Sequence, residues 1–231
     1  MSFFEKLSDI FIEKSQWREL MVDGLKNTVI ITLIALAIGV VIGTLIAVIK
    51  YFSDSNPVMR ALGWVCDLYV TVVRGIPVVV LLLIFFFVIF ATSRNGVMVA
   101  ALTFGINSGA YMAELIRSGL NAVPNGQMEA GRSLGLSKLQ TMRRIILPQA
   151  VRYILPAIGN ELIALLKETS VAGYVAVIDL TRAGNLVRGN TYEALVPLTV
   201  VAIAYLVMVV VLTWILKLVE WGLSHDKRRK S

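Results

Sequence analysis

The chain has 231 residues, of which 57% are hydrophobic and 16% are charged, and its net charge is +7. A soluble domain of this length has about 25% charged residues. Here the apolar residues form long uncharged runs, so we expect lipid to surround much of the chain. The positive balance indicates basic cytoplasmic loops, and we expect no nucleic-acid partner. The single Cys66 excludes an internal disulfide and a thiolate metal cluster, and the single His225 lies in a basic tail.

Three parts follow from the distribution of charge. Residues 1–26 carry nine charges of both signs among apolar residues at near-helical spacing. This pattern predicts either an amphipathic helix in the membrane interface or a short helix packed on the bundle. Residues 27–220 form the predicted transmembrane domain, and residues 221–231 form a basic cytoplasmic tail.

The apolar runs predict five membrane spans, at 27–49, 61–91, 97–116, 150–167 and 194–216. The first is uncharged and, at 1.5 Å per residue, long enough to cross a hydrocarbon core of about 30 Å. In the second, Arg74-Gly75-Ile76-Pro77 predicts a break, because proline lacks the backbone donor that a helix needs. The fourth is short and polar, so we do not expect lipid on all its sides.

Gly39 and Gly43 form a GxxxG pair in the first span. Such a pair permits close contact between helices, although glycine is also simply frequent in membrane helices. The sequence favours neither explanation.

The distribution of Lys and Arg predicts the orientation. With the N-terminus outside, the outside segments hold eight basic residues, and the inside segments hold 13, at 50–60, 117–152 and 217–231. The positive-inside rule therefore places the loop 123–150 and the tail in the cytoplasm.

The sequence offers little for catalysis. It contains no GxxxxGK[ST] phosphate loop, no HExxH or CxxC motif, and no Ser–His pair within the spans. We therefore expect neither an enzyme, nor a metal site, nor a cofactor in this chain. A helix bundle with polar residues at membrane depth, joined to a long structured loop, favours transport.

The loop 123–150 contains signals for two helices. Asn125 is a candidate N-cap for the first helix, and Gly135 predicts its end. The run from Ser137 to Gln140 fits a capping box that opens the second helix, which Pro148 is expected to end or kink. An ordinary helical hairpin would show similar signals. Further along, Thr169-Ser170 is a candidate cap for a helix that runs to about Thr181 and stops near Gly184.

Part of this loop resembles the EAA loop of ABC importer permeases. The matching residues are Glu129-Ala130-Gly131, Gly135 and Ile146-Leu147-Pro148, with Gly131 where the family usually has alanine. Other segments resemble the polar amino-acid uptake subfamily, and the likeness covers roughly residues 20–220. These segments are Gly24-Leu25-x-x-Thr28, Arg74-Gly75-Ile76-Pro77, Ala110-Tyr111-x-Ala113-Glu114, Asn160-Glu161-x-Ile163, Lys167-Glu168-Thr169-Ser170 and Asp179-Leu180.

The resemblance implies an all-α integral membrane protein of MetI-like fold, with five transmembrane helices and a cytoplasmic coupling helix. It implies a location in the cytoplasmic membrane of a prokaryote. The implied partners are a dimer of cytoplasmic subunits that bind ATP and Mg, a second permease subunit, identical or related, and an extracytoplasmic amino-acid-binding protein.

The resemblance also implies two groups of functional residues. Candidates for coupling to the ATPase are Gly126, Glu129, Ala130, Gly131, Leu134 and Gly135. Candidates for contact with the substrate are Arg74, Gly75, Glu114, Asn160, Glu161, Lys167, Glu168, Thr169 and Ser170.

A zwitterionic amino acid requires groups of both charge signs. Arg74 and Lys167 are expected to bind its carboxylate, and Glu114, Glu161 or Glu168 its ammonium group. Alternatively, Arg74 extends to the membrane interface, and Lys167 and Glu168 form an interfacial pair. Two other protein classes also stay open. One is a stand-alone, ion-coupled secondary amino-acid transporter, and the other is a structural subunit or channel without a substrate site.

Overall fold

The protein is mainly helical in the part of the chain that the computed structural model describes, residues 3–53 and 56–228. No β-strand occurs in these ranges, as predicted for an all-α protein. The α-helices are α1 Phe3–Ser8, α2 Ser15–Tyr51, α3 Pro57–Gly75, α4 Val78–Ile84, α5 Gly96–Asn121, α6 Gly126–Ser133, α7 Lys138–Thr141, α8 Leu147–Glu168, α9 Leu180–Thr191 and α10 Leu195–Arg228. Other helical turns occur at Asp9–Glu13, Phe85–Ile89 and Met142–Ile146, which are π-helical, and at Thr169–Val175, which is 3₁₀.

Three of these helices are long and apolar enough to cross a membrane, namely Ser15–Tyr51, Gly96–Asn121 and Leu195–Gly222. A fourth is counted if Pro57–Gly75 and Val78–Ile89 are taken as one broken span. The helix interruption lies at the predicted place, around Ile76 and Pro77. The fourth predicted span is the helix α8, whose polar residues keep it out of this group, so its crossing of the membrane stays a prediction.

The chain divides into two compact units. The first comprises Met1–Ile38, Ile76–Asn107 and Leu162–Thr213. The main core of the first unit consists of apolar residues from several helices, whose side chains are almost fully buried against one another. These residues are Ile31, Ala35, Leu82, Ala100, Ala101, Phe104, Leu165, Ala172, Val175 and Val177.

The N-terminal segment packs against the first unit's own helices. Ile10 is buried together with Val187 and Val196, whereas Phe4 and Ile12 are exposed. The segment is not one helix, because α1 and its π-helical turn end before α2 begins at Ser15. The packing agrees with the second of the two alternatives that the sequence left open. Contact with the membrane interface stays a prediction, and residues 229–231 of the predicted tail lie outside the described part of the chain.

The prediction that Thr169-Ser170 caps a helix is wrong. Residues Thr169–Val175 form a 3₁₀ segment, and the helix begins later, at Leu180. Its N-cap is Asp179, whose carboxylate accepts hydrogen bonds from the N–H groups of Thr181 at 2.8 Å and Arg182 at 3.2 Å. Burial raises the pKa of Asp179, and these two N–H groups oppose that rise.

Gly184 does not stop this helix but lies within α9, where a Cβ would overlap the side chain of Val201. The residue therefore permits close packing of α9 on α10. A local sequence pattern could not distinguish this role from a helix stop, because the neighbour is distant in sequence.

Two of the sequence motifs meet in the first unit. The side-chain amide of Asn27 donates to the carbonyl of Ile178 at 2.8 Å, and the N–H of Leu180 donates to the hydroxyl of Thr28 at 3.1 Å. A Cβ on Gly24 would lie 2.8 Å from the carbonyl oxygen of Asp179. The start of α2 thus holds the start of α9 through backbone contacts that need these residue types.

The second unit comprises Gly39–Gly75, Ser108–Glu161 and Trp214–Ser231. In it, the GxxxG pair of α2 meets α5. A Cβ on Gly39 would lie 2.8 Å from the Oγ of Ser108, and one on Gly43 would overlap Met112. Both glycines therefore permit a close contact between helices, which decides between the two explanations left open by the sequence.

We expect Gly43→Ala to destabilise the protein by about 1–3 kcal/mol, because the added methyl group overpacks the contact with Met112. The midpoint of thermal unfolding in detergent measures the effect. Gly189→Ala is the matched control, since a Cβ there meets open space in an exposed part of α9. An equal midpoint for Gly43→Ala and the wild-type protein would contradict the packing role.

Candidate functional site

The helix α6 ends in a Schellman motif at the predicted glycine. The N–H of Gly135 donates to the carbonyl of Arg132 at 3.0 Å, and the N–H of Leu136 donates to the carbonyl of Gly131 at 3.2 Å. Gly135 has a φ of +81°, a conformation that costs little only for glycine. The predicted stop at Gly135 is confirmed.

The next helix opens with the predicted capping box. The hydroxyl of Ser137 accepts from the N–H of Gln140 at 3.2 Å, and the Gln140 side chain accepts from the N–H of Ser137 at 2.8 Å. Only a few residues separate α6 from α7. Hydrogen bonds fix both of the helix ends that face each other, the C-terminal end of α6 and the N-terminal end of α7.

The prediction that Asn125 caps α6 is wrong, and one of the two outcomes predicted for Pro148 does not occur. The side chain of Asn125 makes no cap hydrogen bond, because its backbone is already helical with φ of −56°, and its carbonyl accepts from Met128 instead. The second helix does not end at Pro148, since the helical run continues into α8, and a kink there stays a prediction. Proline is tolerated there because it lies in the first turn of α8, directly after a π-helical turn.

Most of the coupling candidates lie on an exposed face of α6 and its C-terminal turn. Glu129 and Ala130 are exposed, and the side chain of Leu134 is 80% exposed. A Cβ on Gly126 or on Gly135 would meet open space. An exposed leucine beside an exposed carboxylate and small residues is suited to contact with another protein.

Gly131 differs from the other coupling candidates because it is buried. A Cβ there would overlap the γ-methyl of Thr141 and lie 3.1 Å from the Cδ1 of Ile145. The glycine therefore permits α6 to lie against the following helical segment. This explains in physical terms why the usual alanine of the EAA pattern is absent here.

A cavity of about 410 Å³ lies beside the start of α6. Pro124 and Met128 line it on one side, and Lys50, Tyr51 and Arg117 line it on the other.

In the second unit, three charged substrate candidates each have a polar or aromatic partner on α5. Glu161 accepts a hydrogen bond from the hydroxyl of Ser108 at 3.0 Å. The guanidinium of Arg74 lies 5.0 Å from the ring centroid of Tyr111. Glu114 forms a bidentate pair with Arg117, with N–O distances of 2.6 and 3.3 Å.

Sequence reasoning proposed Glu114 as a substrate contact, but it did not single out Ser108, Tyr111 or Arg117 as functional residues. Ser108, Tyr111 and Glu114 are spaced by three, which places them along one face of α5. This spacing was the sequence signal for a polar face on α5. The small apolar residues between the three positions obscured it. The remaining candidates of this unit, Gly75 and Asn160, are exposed.

In the first unit, Thr169 is buried and donates to the carbonyl of Leu166 at 2.8 Å, so its hydroxyl has a structural partner. Ser170 lines a cavity of about 630 Å³ together with Tyr174, Thr181 and Arg182. Sequence reasoning did not single out Tyr174 or Arg182. Lys167 is exposed and Glu168 is half-buried at the end of α8.

A protein-family model described as binding-protein-dependent transport system inner membrane component matches residues 39–225. Among curated proteins, the chain is similar to the glutamine transport system permease protein GlnP of Escherichia coli strain K12. The two are 36% identical over 209 residues, which cover 87% of this chain and 91% of that protein.

The structure is also similar to solved structures. An amino acid ABC transporter crystallised with histidines matches with a TM-score of 0.83 and 35% identity, covering 92% of this chain and 98% of the other. The inward-facing MetNI methionine ABC transporter matches with a TM-score of 0.77 and 24% identity, over 91% and 99% of the two chains. Together with the family match, these likenesses confirm the predicted fold class.

We expect Gly131→Ala to loosen α6, because its methyl group displaces the side chain of Thr141. Thr141→Ser removes the overlapping γ-methyl and keeps the hydroxyl that donates to the carbonyl of Ser137. Hydrogen–deuterium exchange of the Gly135 and Leu136 amides should accelerate several-fold in the single variant. It should return towards the wild-type rate in Gly131→Ala/Thr141→Ser. Exchange that is equally fast in both variants would show that the Gly131–Thr141 contact is not the cause.

Proposed function

Because the chain belongs to the family of binding-protein-dependent transport system inner membrane components, we propose that it imports a polar amino acid by alternating access, driven by a separate ATPase subunit. The chain is the permease subunit of an amino-acid ABC importer. This membership sets aside both the stand-alone ion-coupled transporter and the structural subunit. The observation that supports the coupling mechanism best is the exposed face of α6, whose C-terminal turn is joined directly to the capped start of α7.

The proposed assembly contains a dimer of cytoplasmic ATP-binding subunits, a second permease subunit and an extracytoplasmic amino-acid-binding protein. It lies in the cytoplasmic membrane of a prokaryote, and ATP and Mg bind to the partner ATPase. Glu129, Ala130 and Leu134 dock α6 on the ATPase, and Gly126 permits close approach at the start of the helix. Closure of the ATPase dimer on ATP then displaces α6 and switches the permease between two states.

Gly131 and Gly135 contribute to coupling by positioning rather than by contact. Gly131 allows α6 to pack on the segment that contains Thr141. Gly135 provides the left-handed turn that the Schellman motif requires. A displacement of α6 is therefore transmitted to α8 through the intervening helical turns, because neither end of the connection is free to unwind.

For the substrate, we propose that Glu161 binds the ammonium group. Its carboxylate is half-buried, and the hydroxyl of Ser108 fixes the orientation of one oxygen. A carboxylate oriented in this way can accept further hydrogen bonds from an ammonium group at its second oxygen. Arg74 and Lys167 remain the proposed partners of the substrate carboxylate. Gly75, Glu114, Asn160, Glu168, Thr169 and Ser170 remain proposed contacts.

Two different substitutions of the same residue, Gly135, test the coupling. We expect Gly135→Val to lower the amount of amino acid imported per ATP hydrolysed by several-fold, because a β-branched residue is strained at a φ of +81°. Gly135→Asn should keep most of the coupling, since asparagine tolerates the left-handed region. The measurement is uptake and ATP hydrolysis in proteoliposomes that contain the complete importer. Equal coupling in the two variants would contradict the role of the turn.

The proposed ammonium site makes a second prediction. Glu161→Gln keeps the shape and the bond from Ser108 but removes the charge, so the dissociation constant of the substrate should rise at least tenfold, or about 1.4 kcal/mol. Ser108→Ala should cause a smaller rise, because the carboxylate keeps its charge and loses only its orientation. Glu220→Gln, on the exposed side of α10, is the control. Binding to the purified permease complex measures the effect, and an unchanged constant in Glu161→Gln would remove Glu161 from the site.

A further inference from the structure

The turn between α9 and α10 presents an unusual tyrosine. Tyr192 is 94% exposed, and its backbone lies in the left-handed region with φ of 55°. It occupies the position after the helix end where glycine or asparagine is normally found, because side chains with a branched or bulky start are strained there. A strained residue that also exposes a large ring calls for an explanation beyond folding.

The surrounding residues fix the backbone of the turn that carries Tyr192. The hydroxyl of Thr191 donates to the carbonyl of Val187 at 2.8 Å and accepts from the N–H of Glu193 at 3.4 Å. The carboxylate of Glu193 forms an ion pair with Lys6 of the N-terminal segment. Val187 is fully buried with Ile10 and Val196, so the end of α9 before this turn is anchored in the core of the first unit.

Polar residues flank Tyr192 along the chain. Its neighbours Asn190, Thr191 and Glu193 line a cavity of about 410 Å³ together with Lys6, Asp9 and Lys14. The ammonium group of Lys14 lies 3.1 Å from the carboxylate of Asp9, so both signs of charge are present in pairs. An exposed aromatic side chain with a polar rim is the typical composition of a protein–protein contact.

A lipid interface explains these features less well. Tyrosines at the edge of a bilayer need no strained backbone, and anionic headgroups favour clusters of Lys and Arg over balanced ion pairs. The positive-inside rule places both parts of this surface, within 1–26 and 167–193, outside the cytoplasm. A partner on that side must be an extracytoplasmic one.

We propose that Tyr192 is the aromatic anchor of a docking surface for the extracytoplasmic amino-acid-binding protein. The ion pairs Lys6–Glu193 and Lys14–Asp9 form the polar rim of this surface. The partner surface that fits has an apolar recess for one ring, surrounded by groups of both charge signs. The inference rests on the proposed function, because it requires an importer that receives its substrate from a binding protein.

The test uses the complete importer in nanodiscs, with its ATPase and its binding protein. Tyr192→Asn removes the ring but suits the left-handed backbone, and Tyr192→Phe keeps the ring. Tyr153→Asn is the matched control, because Tyr153 is an exposed tyrosine on another helix, α8. Two quantities are measured: ATP hydrolysis without binding protein, and the concentration of binding protein that gives half-maximal stimulation.

We expect Tyr192→Asn to raise the half-maximal concentration at least tenfold while hydrolysis without binding protein stays unchanged. Tyr192→Phe and Tyr153→Asn should behave like the wild-type importer. An unchanged half-maximal concentration in Tyr192→Asn overturns the proposal. Two other results for Tyr192→Asn also overturn the proposal. If the variant only inserts less well into the membrane, the ring lies in the lipid interface. If it only loses pairing of the permease subunits, the ring contacts a second permease. If the binding protein fails to stimulate even the wild-type importer, the proposed function itself fails.

Discussion

Close approach of helices where a Cβ is missing determines much of the second unit. In lipid, apolar side chains gain little by exchanging lipid tails for a neighbouring helix, so association depends on van der Waals contact at short distance. Gly39 and Gly43 provide that contact between α2 and α5, and Gly119 provides it where α5 meets Ile154 of α8. Gly131 serves the same purpose in the loop. Ser108 lies directly against Gly39, so the position of the hydroxyl that bonds Glu161 depends on this packing.

Three of the charged residues proposed for the substrate already have partners within the chain. Glu161 has Ser108, Glu114 has Arg117, and Arg74 lies over a tyrosine ring. Unpaired charges at membrane depth are costly, so these contacts stabilise the empty permease. If these residues bind the substrate as proposed, its ammonium and carboxylate groups must replace at least some of these contacts. The affinity for the substrate then reflects the difference between the contacts within the empty permease and the contacts to the substrate. A moderate affinity is compatible with release of the substrate on the cytoplasmic side.

Local chemistry determines which parts of this fold a sequence can predict. The long apolar helices, the break before Pro77, the turn at Gly135 and the capping box at Ser137 all depend on residues near in sequence. The start of α9 could not be predicted in this way. Asp179 caps it within a backbone turn that Asn27 and Thr28 hold from a distance of about 150 residues in sequence. The partners on α5 could not be predicted for the same reason, since only the folded chain brings Ser108 to Glu161.

The joint between α6 and α7 has a mechanical consequence. Each helix end is closed by two hydrogen bonds, and the few residues between them include a glycine of fixed handedness. Such a connection is rigid, so a displacement of α6 is passed on to α7 and does not dissipate in a flexible linker. If α6 docks on an ATPase as proposed, a loop that is already ordered in this way loses little conformational entropy on docking.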